Sequence, residues 1–238
     1  MKKFILSVIA LTACLISWST NAQAVQYDLS LVTDSDTDGT AIFTRFAEGG
    51  QGTGNFDSFL RVQDTPQEEG YNTDGTVEFD TKDDPHTHSI EISDIPIIDI
   101  LGTDYYEFVL DAAEPAGNTL EVTVLEIYLL GAPNITDYAT WSSLNTPKYE
   151  LASGDSILID NITGNGVADL FVYVPTSLFT GTNTWVYLYT EMIVTAGSFE
   201  EWGRRTGIGD VPPVIPEPMS MILFGTGLVG IIVRKKLS

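Results

Sequence analysis

From Val25 to about Asp210, apolar residues recur in short stretches rich in Val, Ile, Phe, Tyr and Thr, separated by Gly, Asn, Asp and Pro. Helical periodicity is nearly absent, and the pattern reads as strands joined by turns. It predicts strands over Gln26 to Val32, Ala41 to Phe46, Asp57 to Val62, Thr76 to Phe79, Ser89 to Ile92, Tyr105 to Leu110 and Thr119 to Leu129. Ser156 to Asp160, Asp169 to Val174 and Trp185 to Val194 follow. Alternation is plainest at Leu120, Val122 and Val124, with Glu121 and Thr123 between them, which places one face in a core and the other in water. Roughly 185 residues suit one β domain with a substantial core. The expected fold is all-β, a β-sandwich of jelly-roll-like or immunoglobulin-like type, with a closed barrel as the alternative.

Both ends of the chain break this pattern. Lys2 and Lys3, the uncharged run Phe4 to Trp18, and then Ala22-Gln23-Ala24 have the order of a secretory leader cleaved before Val25. Leu11-Thr12-Ala13-Cys14 also fits a lipoprotein box in which Cys14 would be acylated. The apolar run continues through Leu15, Ile16 and Trp18, where a lipoprotein usually turns polar, and this favours cleavage before Val25.

At the other end, Pro212, Pro213, Pro216 and Pro218 remove backbone donors and hold the chain near extended geometry, open to a processing enzyme. Met219 to Val233 is uncharged, but as a helix it would reach only ~22 Å against a hydrocarbon core of ~30 Å. Gly225, Gly227 and Gly230 weaken it further and lack the spacing of a packed helix pair. Arg234, Lys235 and Lys236 then stop transfer and hold the extreme C-terminus in the cytoplasm, so the body lies outside. The chain divides into a signal peptide (1–24), one β-sandwich domain (25–210) and a tail (211–238) whose hydrophobic span, 219–233, is a short transmembrane helix.

Pro216-Glu217-Pro218, the span Met219 to Val233 and the terminal Arg234-Lys235-Lys236 together resemble the PEP-CTERM sorting signal. The resemblance implies recognition by an exosortase, a membrane-embedded transpeptidase-like enzyme of bacteria that make extracellular polysaccharide. The protein would then be exported through the inner membrane, anchored transiently by its tail, and delivered to the envelope, surface or medium. Blocks in the body, among them Phe56 to Gln63, Glu69 to Thr73, Phe108 to Asp111, Asp169 to Pro175 and Ser198 to Trp202, resemble a group of PEP-CTERM proteins of unknown function. That likeness carries no activity with it.

Removing the leader takes away Cys14, the one cysteine, so the mature body has neither disulfides nor a thiol nucleophile and must rely on packing. The chain has 11 basic and 33 acidic residues; without Lys2, Lys3, Arg234, Lys235 and Lys236 the net charge moves from −22 to −27. Such charge argues against nucleic acid as a partner. It suits solubility alone, and equally a protein that collects divalent cations or sits among polysaccharides.

Three constellations fit metal chemistry, each with a plainer reading beside it. Asp34-Ser35-Asp36-Thr37-Asp38-Gly39 matches the first half of a calcium loop, with carboxylates at Asp34, Asp36 and Asp38 and a glycine for the sharp turn. Arg45 stands where a bidentate Glu is needed, and a turn between two strands explains the same residues. Asn161 to Asp169, with Asn161, Asn165 and Asp169 as donors, resembles the calcium loops of FG-GAP-type repeats, while Asn165-Gly166 also reads as a hairpin turn. His86 and His88, preceded by Asp83 and Asp84, would share a face if extended and could offer zinc two imidazoles; Pro85 favours a solvated loop.

Signatures of catalysis are missing: there is no G-x-S-x-G elbow, no H-E-x-x-H and no phosphate-cradling glycine loop. Tyr105, Tyr106, Trp141, Trp185, Tyr187, Tyr189 and Trp202 would make a sugar-stacking platform if exposed, although aromatics in strands usually pack in cores or as cross-strand pairs. Three classes of function remain: a structural or adhesive surface protein associated with exopolysaccharide, a secreted carbohydrate-binding module, or a polysaccharide-acting hydrolase or lyase. Exposed coplanar aromatics would favour the second, and a cleft with two close carboxylates the third.

Overall fold

The computed structural model describes residues 23–31, 34–45, 56–113, 115, 117–160 and 168–206. Its first strands are β1 (Gln26–Asp28), β2 (Ser35–Thr37), β3 (Ile42–Thr44), β4 (Phe56–Val62), β5 (Gln67–Tyr71), β6 (Ile90–Glu91) and β7 (Ile97–Ile100). There follow β8 (Thr103–Ala112), β9 (Leu120–Leu130), a helix α1 (Tyr138–Leu144), β10 (Tyr149–Glu150), β11 (Ser156–Ile159), β12 (Leu170–Pro175), β13 (Trp185–Val194) and β14 (Glu200–Arg205). Among the described residues these make two sheets of seven strands each. The first runs β1-β11-β9-β13-β5, with β10 on β9 and β6 on β13; the second runs β2-β3-β12-β8-β14-β4, with β7 on β8. β1 joins β11 in parallel, whereas the long central pairs, β13 on β9 and β12 on β8, are antiparallel.

The sheets pack face to face as the expected β-sandwich. Its core joins Leu120, Val122, Leu125, Ile127 and Leu188 of the first sheet to Phe43, Leu60, Phe108, Leu110 and Trp202 of the second. Period-two alternation along β8 and β13 sends Phe108, Leu110, Val186 and Leu188 inward and Val109, Tyr187 and Tyr189 outward. The outward residues named here are also buried, in two further clusters, so part of each sheet's outer face is apolar and covered as well.

Alternation along β9 is interrupted. Met192 pairs with Val122 and Glu191 with Val124, which leaves Thr123 as the extra residue of a β-bulge, its hydroxyl donating to Glu191 O at 3.2 Å. Beyond the bulge the faces exchange: Leu125 takes the core position, and Val124 joins the aromatic cluster on the outer face. The expected common face for Leu120, Val122 and Val124 therefore holds only for the first two, because one inserted residue reverses every side chain that follows.

Thr76 to Phe79, expected as a strand, is a loop ending in a turn, with Phe79 at φ +58°. Its Glu78 carboxylate is engaged elsewhere, accepting the backbone N–H groups of Asp137 (2.7 Å) and Tyr138 (3.0 Å) at the start of α1. Five strands were not foreseen from the apolar pattern: β2, β5, β7, β10 and β14. In β5 the sequence Gln67-Glu68-Glu69-Gly70-Tyr71 offers one large apolar side chain, and pairing with β13 supplies the rest. Gly70 permits a close approach there, since a Cβ would lie 2.3 Å from Thr81 Oγ1 and 2.5 Å from Val62 Cγ1.

Candidate functional site

One candidate site is a groove of about 500 Å³ between the β2–β3 and β7–β8 hairpins of the second sheet. Ile42, Ile100 and Tyr105 form its apolar floor and belong to the outer cluster of that sheet. Asp36 and Thr103 line its walls, and Leu101 stands at the rim with 91% of its surface exposed. The remaining lining is mostly hydroxyl side chains and glycine, and among the described lining residues Asp36 is the only charged one.

Both hairpins are fixed by their turns. Leu101 and Gly102 have φ +53° and +86°, the signature of a tight two-residue hairpin turn, and Asp99 Oδ1 accepts the Gly102 N–H at 3.2 Å. In the opposite hairpin Asp38 Oδ1 accepts the N–H groups of Thr40 and Ala41, both at 2.7 Å, while Asp38 Oδ2 accepts the Tyr149 hydroxyl at 2.8 Å. That last bond ties the turn to β10 of the other sheet. Burial first, and then the neighbouring Asp38 carboxylate, push the Tyr149 hydroxyl far above the ordinary phenol value.

The carboxylates of the calcium-like stretch are thus distributed over a hairpin. Asp34 Oδ2 accepts the Leu31 N–H at 2.7 Å, Asp36 Oδ1 accepts the Thr37 N–H at 2.8 Å, and Asp38 closes the turn. Arg45 does not face this loop as a ligand would. It is buried, and its Nη1 donates to the carbonyls of Leu29, Ser30 and Asp160, with Asp169 3.9 Å from Nη2. Asp169 is buried and accepts the Ala112 N–H at 3.0 Å; Asn161 and Asn165 lie outside the described residues. His86 sits in a turn, its Nδ1 3.1 Å from Glu201 Oε1. Arg61 stands in the same group, paired with Glu201 at 2.8 Å and with Asp84 at 2.8 Å, so a cation already occupies the carboxylates beside this histidine. Among the described residues, no group of three or more His, Cys, Asp or Glu is arranged to hold a metal ion.

The aromatic candidates divide by burial. Trp141, Tyr187, Tyr189 and Trp202 are buried; Tyr105, Tyr106 and Trp185 are half-buried. Trp141 of α1 packs over Tyr71, Tyr128 and Tyr187 on the outer face of the first sheet, and Tyr138 stacks on Tyr189 with ring centroids 3.9 Å apart. The Tyr189 hydroxyl lies 2.7 Å from both Glu69 and Glu191, an opposed pair across β5 and β13. Burial and these two carboxylates hold Tyr189 neutral far into the alkaline range. The most conspicuous ionic feature, unremarked in the sequence, is Arg205, which grips the fully buried Glu107 through both Nε and Nη2; Tyr173 donates to the same carboxylate at 3.0 Å.

At the N-terminal junction, Ala24 is exposed and Val25 is 45% exposed, just before β1; Ala22 lies outside the described residues. Pro216, Glu217, Pro218, Arg234, Lys235 and Lys236 also lie outside them. Among the described residues no helix is long and apolar enough to cross a membrane. No curated protein and no solved structure matches the chain. A family model described as the PEP-CTERM protein-sorting motif matches residues 214–236, a stretch that contains all six tail residues singled out by the sequence. The chain therefore carries a PEP-CTERM sorting motif, which indicates an exported protein processed by an exosortase and held at the membrane transiently by its C-terminal tail.

Proposed function

We propose that the body is a non-enzymatic structural or adhesive protein of the cell surface or extracellular matrix, which associates with exopolysaccharide once the tail has been processed. The observation that carries this reading is the disposition of the candidate chemistry around a sorted, cysteine-free sandwich. Four of the seven candidate aromatics are packed inside, which removes them from any stacking platform. The close carboxylates Glu69 and Glu191 are half-buried and both lie at 2.7 Å from the Tyr189 hydroxyl, so they are engaged in holding that side chain. The acidic, solvated surface suits a protein that must remain soluble among hydrated polymers.

A secreted carbohydrate-binding module is the second reading, favoured by the groove between the two hairpins. The two readings differ in whether tail processing governs where the protein resides. The test is to fractionate cells producing the native chain, a chain lacking Pro216 to Ser238, and one with Pro216, Glu217 and Pro218 replaced by alanine. The adhesive reading expects the native protein in the polysaccharide fraction at a mass lacking the tail, and both variants elsewhere. Native protein recovered from the cytosol, or normal maturation of the alanine variant, would overturn it.

A further inference from the structure

We propose that the groove between the β2–β3 and β7–β8 hairpins binds a neutral glycan chain, with Tyr105 and Leu101 as its apolar contacts and Asp36 as its hydrogen-bonding group. This deepens the reading above and rests on it.

Leu101 is the strongest sign of a ligand. It occupies the first position of a turn in which both residues have positive φ, where Asn, Asp or Gly is favoured and a branched apolar residue is strained. Its side chain contributes nothing evident to the fold, being 91% exposed. An apolar residue kept in an unfavourable backbone conformation and turned to solvent at the lip of a cavity is accounted for if something covers it.

The rest of the groove says what that occupant is. Its floor of Ile42, Ile100 and Tyr105 offers an apolar surface with one aromatic ring, suited to the C–H face of a sugar ring. Hydroxyls and the Asp36 carboxylate around it match the hydroxyls of a polyol, and Asp36 accepts the Thr37 N–H through Oδ1. Charge then narrows the class. With Asp36 the only charged group among the described lining residues, on a chain of net charge −22, the described lining offers no cation to a phosphate, sulfate or uronate, and an anionic polymer would be repelled. A volume of about 500 Å³ lies within the usual range of small-ligand sites and holds a few sugar residues at most. Both walls are tied down, through Asp38 with Tyr149 and through Asp99 with Gly102, so the groove is formed before the ligand arrives.

The test uses full-length protein purified in detergent and titrated calorimetrically with neutral hexose oligosaccharides (β-glucan, α-glucan and galactan hexamers) and with a uronate hexamer as the anionic control. Binding of at least one neutral oligosaccharide and none of the uronate is expected. Leu101→Asn should weaken that binding about fivefold or more, the scale of one lost apolar contact, while leaving the melting temperature unchanged or higher, because Asn suits the turn. Tyr105→Ala should abolish it, and Asp36→Asn should weaken it without loss of fold. The proposal is overturned if no neutral oligosaccharide binds at millimolar concentration, if the uronate binds as well as the neutral chains, if Leu101→Asn lowers stability and leaves binding intact, or if ultracentrifugation shows a second copy seated at Leu101. If Leu101→Asn and Tyr105→Ala variants still reach the polysaccharide fraction normally, the groove assignment fails and the matrix role stands. Should the native protein never enter that fraction, the matrix role itself fails.

Discussion

The backbone nitrogen of Val25 donates to Asp155 Oδ1 at 2.8 Å, and the same carboxylate accepts the Tyr27 hydroxyl through Oδ2 at 3.2 Å. Val25 is the residue at which the sequence expects the mature chain to begin. Cleavage there would turn an amide donor into an ammonium group beside a largely buried carboxylate, and the hydrogen bond would become charge-assisted. β1, which follows at once, joins β11 only through a short parallel pairing, so this contact pins an edge that the ladder alone holds weakly.

Asp155→Asn is therefore expected to destabilise protein with its N-terminus at Val25 by about 1.5 to 3 kcal/mol, the range for a hydrogen bond to a charged group. In a form that keeps extra residues before Val25 the loss should be smaller. Denaturant titration of both forms measures the difference; equal losses would show that the ammonium contributes nothing.

Glu107 is fully buried and is held by Arg205 and Tyr173, with the Arg205 guanidinium 5.3 Å from the Phe171 ring centre. Glu107→Ala strands a buried arginine and should cost about 3 to 5 kcal/mol. Replacing Glu107 and Arg205 together by Leu and Met should be markedly less harmful than the single change, because the charge and its partner leave together. A double-mutant cycle in urea checks this, and additive losses would contradict the assignment.

Gly70→Ala is expected to destabilise the sandwich by about 1 to 3 kcal/mol through overpacking, since its methyl group would overlap Thr81 Oγ1 and Val62 Cγ1. Adding Thr81→Ala removes the hydroxyl oxygen nearest the new methyl group and should restore part of the loss. Thermal melts of the single and double variants decide the point.

Alkaline pH should unfold the body. Burial, reinforced by Asp155, raises the Tyr27 hydroxyl to about 12, and burial raises Tyr71, Tyr128, Tyr138, Tyr149, Tyr173 and Tyr189 in the same direction. A folded value above the unfolded one means that the stabilisation is complete below about pH 10, the free phenol value, and is lost as pH climbs through the folded values. Tyrosinate absorbance and circular dichroism followed together should change in one step above pH 10. Gradual ionisation without loss of structure would show that these hydroxyls reach solvent.

Much of the fold was legible because strand formation leaves a local trace. Trp185 to Val194 is a strand over the expected residues, and Phe108 with Leu110 faces inward as alternation requires. β5 and β14 were illegible because their residues are polar or charged. Glu200 and Glu201 begin β14 and are buried, an arrangement that only neighbours brought from elsewhere in the chain can make tolerable. The bulge at Thr123 left no signal either, since nothing in Glu121-Val122-Thr123-Val124 marks the residue that will lack a partner. At the groove, Asp36 lines the same cavity as Tyr105 and Leu101, a juxtaposition that its neighbours in sequence, which suggest a cation loop, do not announce.

The sequence by itself determined the β class and the routing of the chain, because hydrophobic run length, terminal charge and clustered prolines act locally and are read by export and sorting machinery as linear features. Only the tertiary structure decided which carboxylates are engaged, which aromatics are buried and where a cavity opens. Those depend on strands far apart in sequence becoming neighbours, as when Ile42 of β3 and Tyr105 of β8 come to share one floor, and no local pattern encodes which strands will pair.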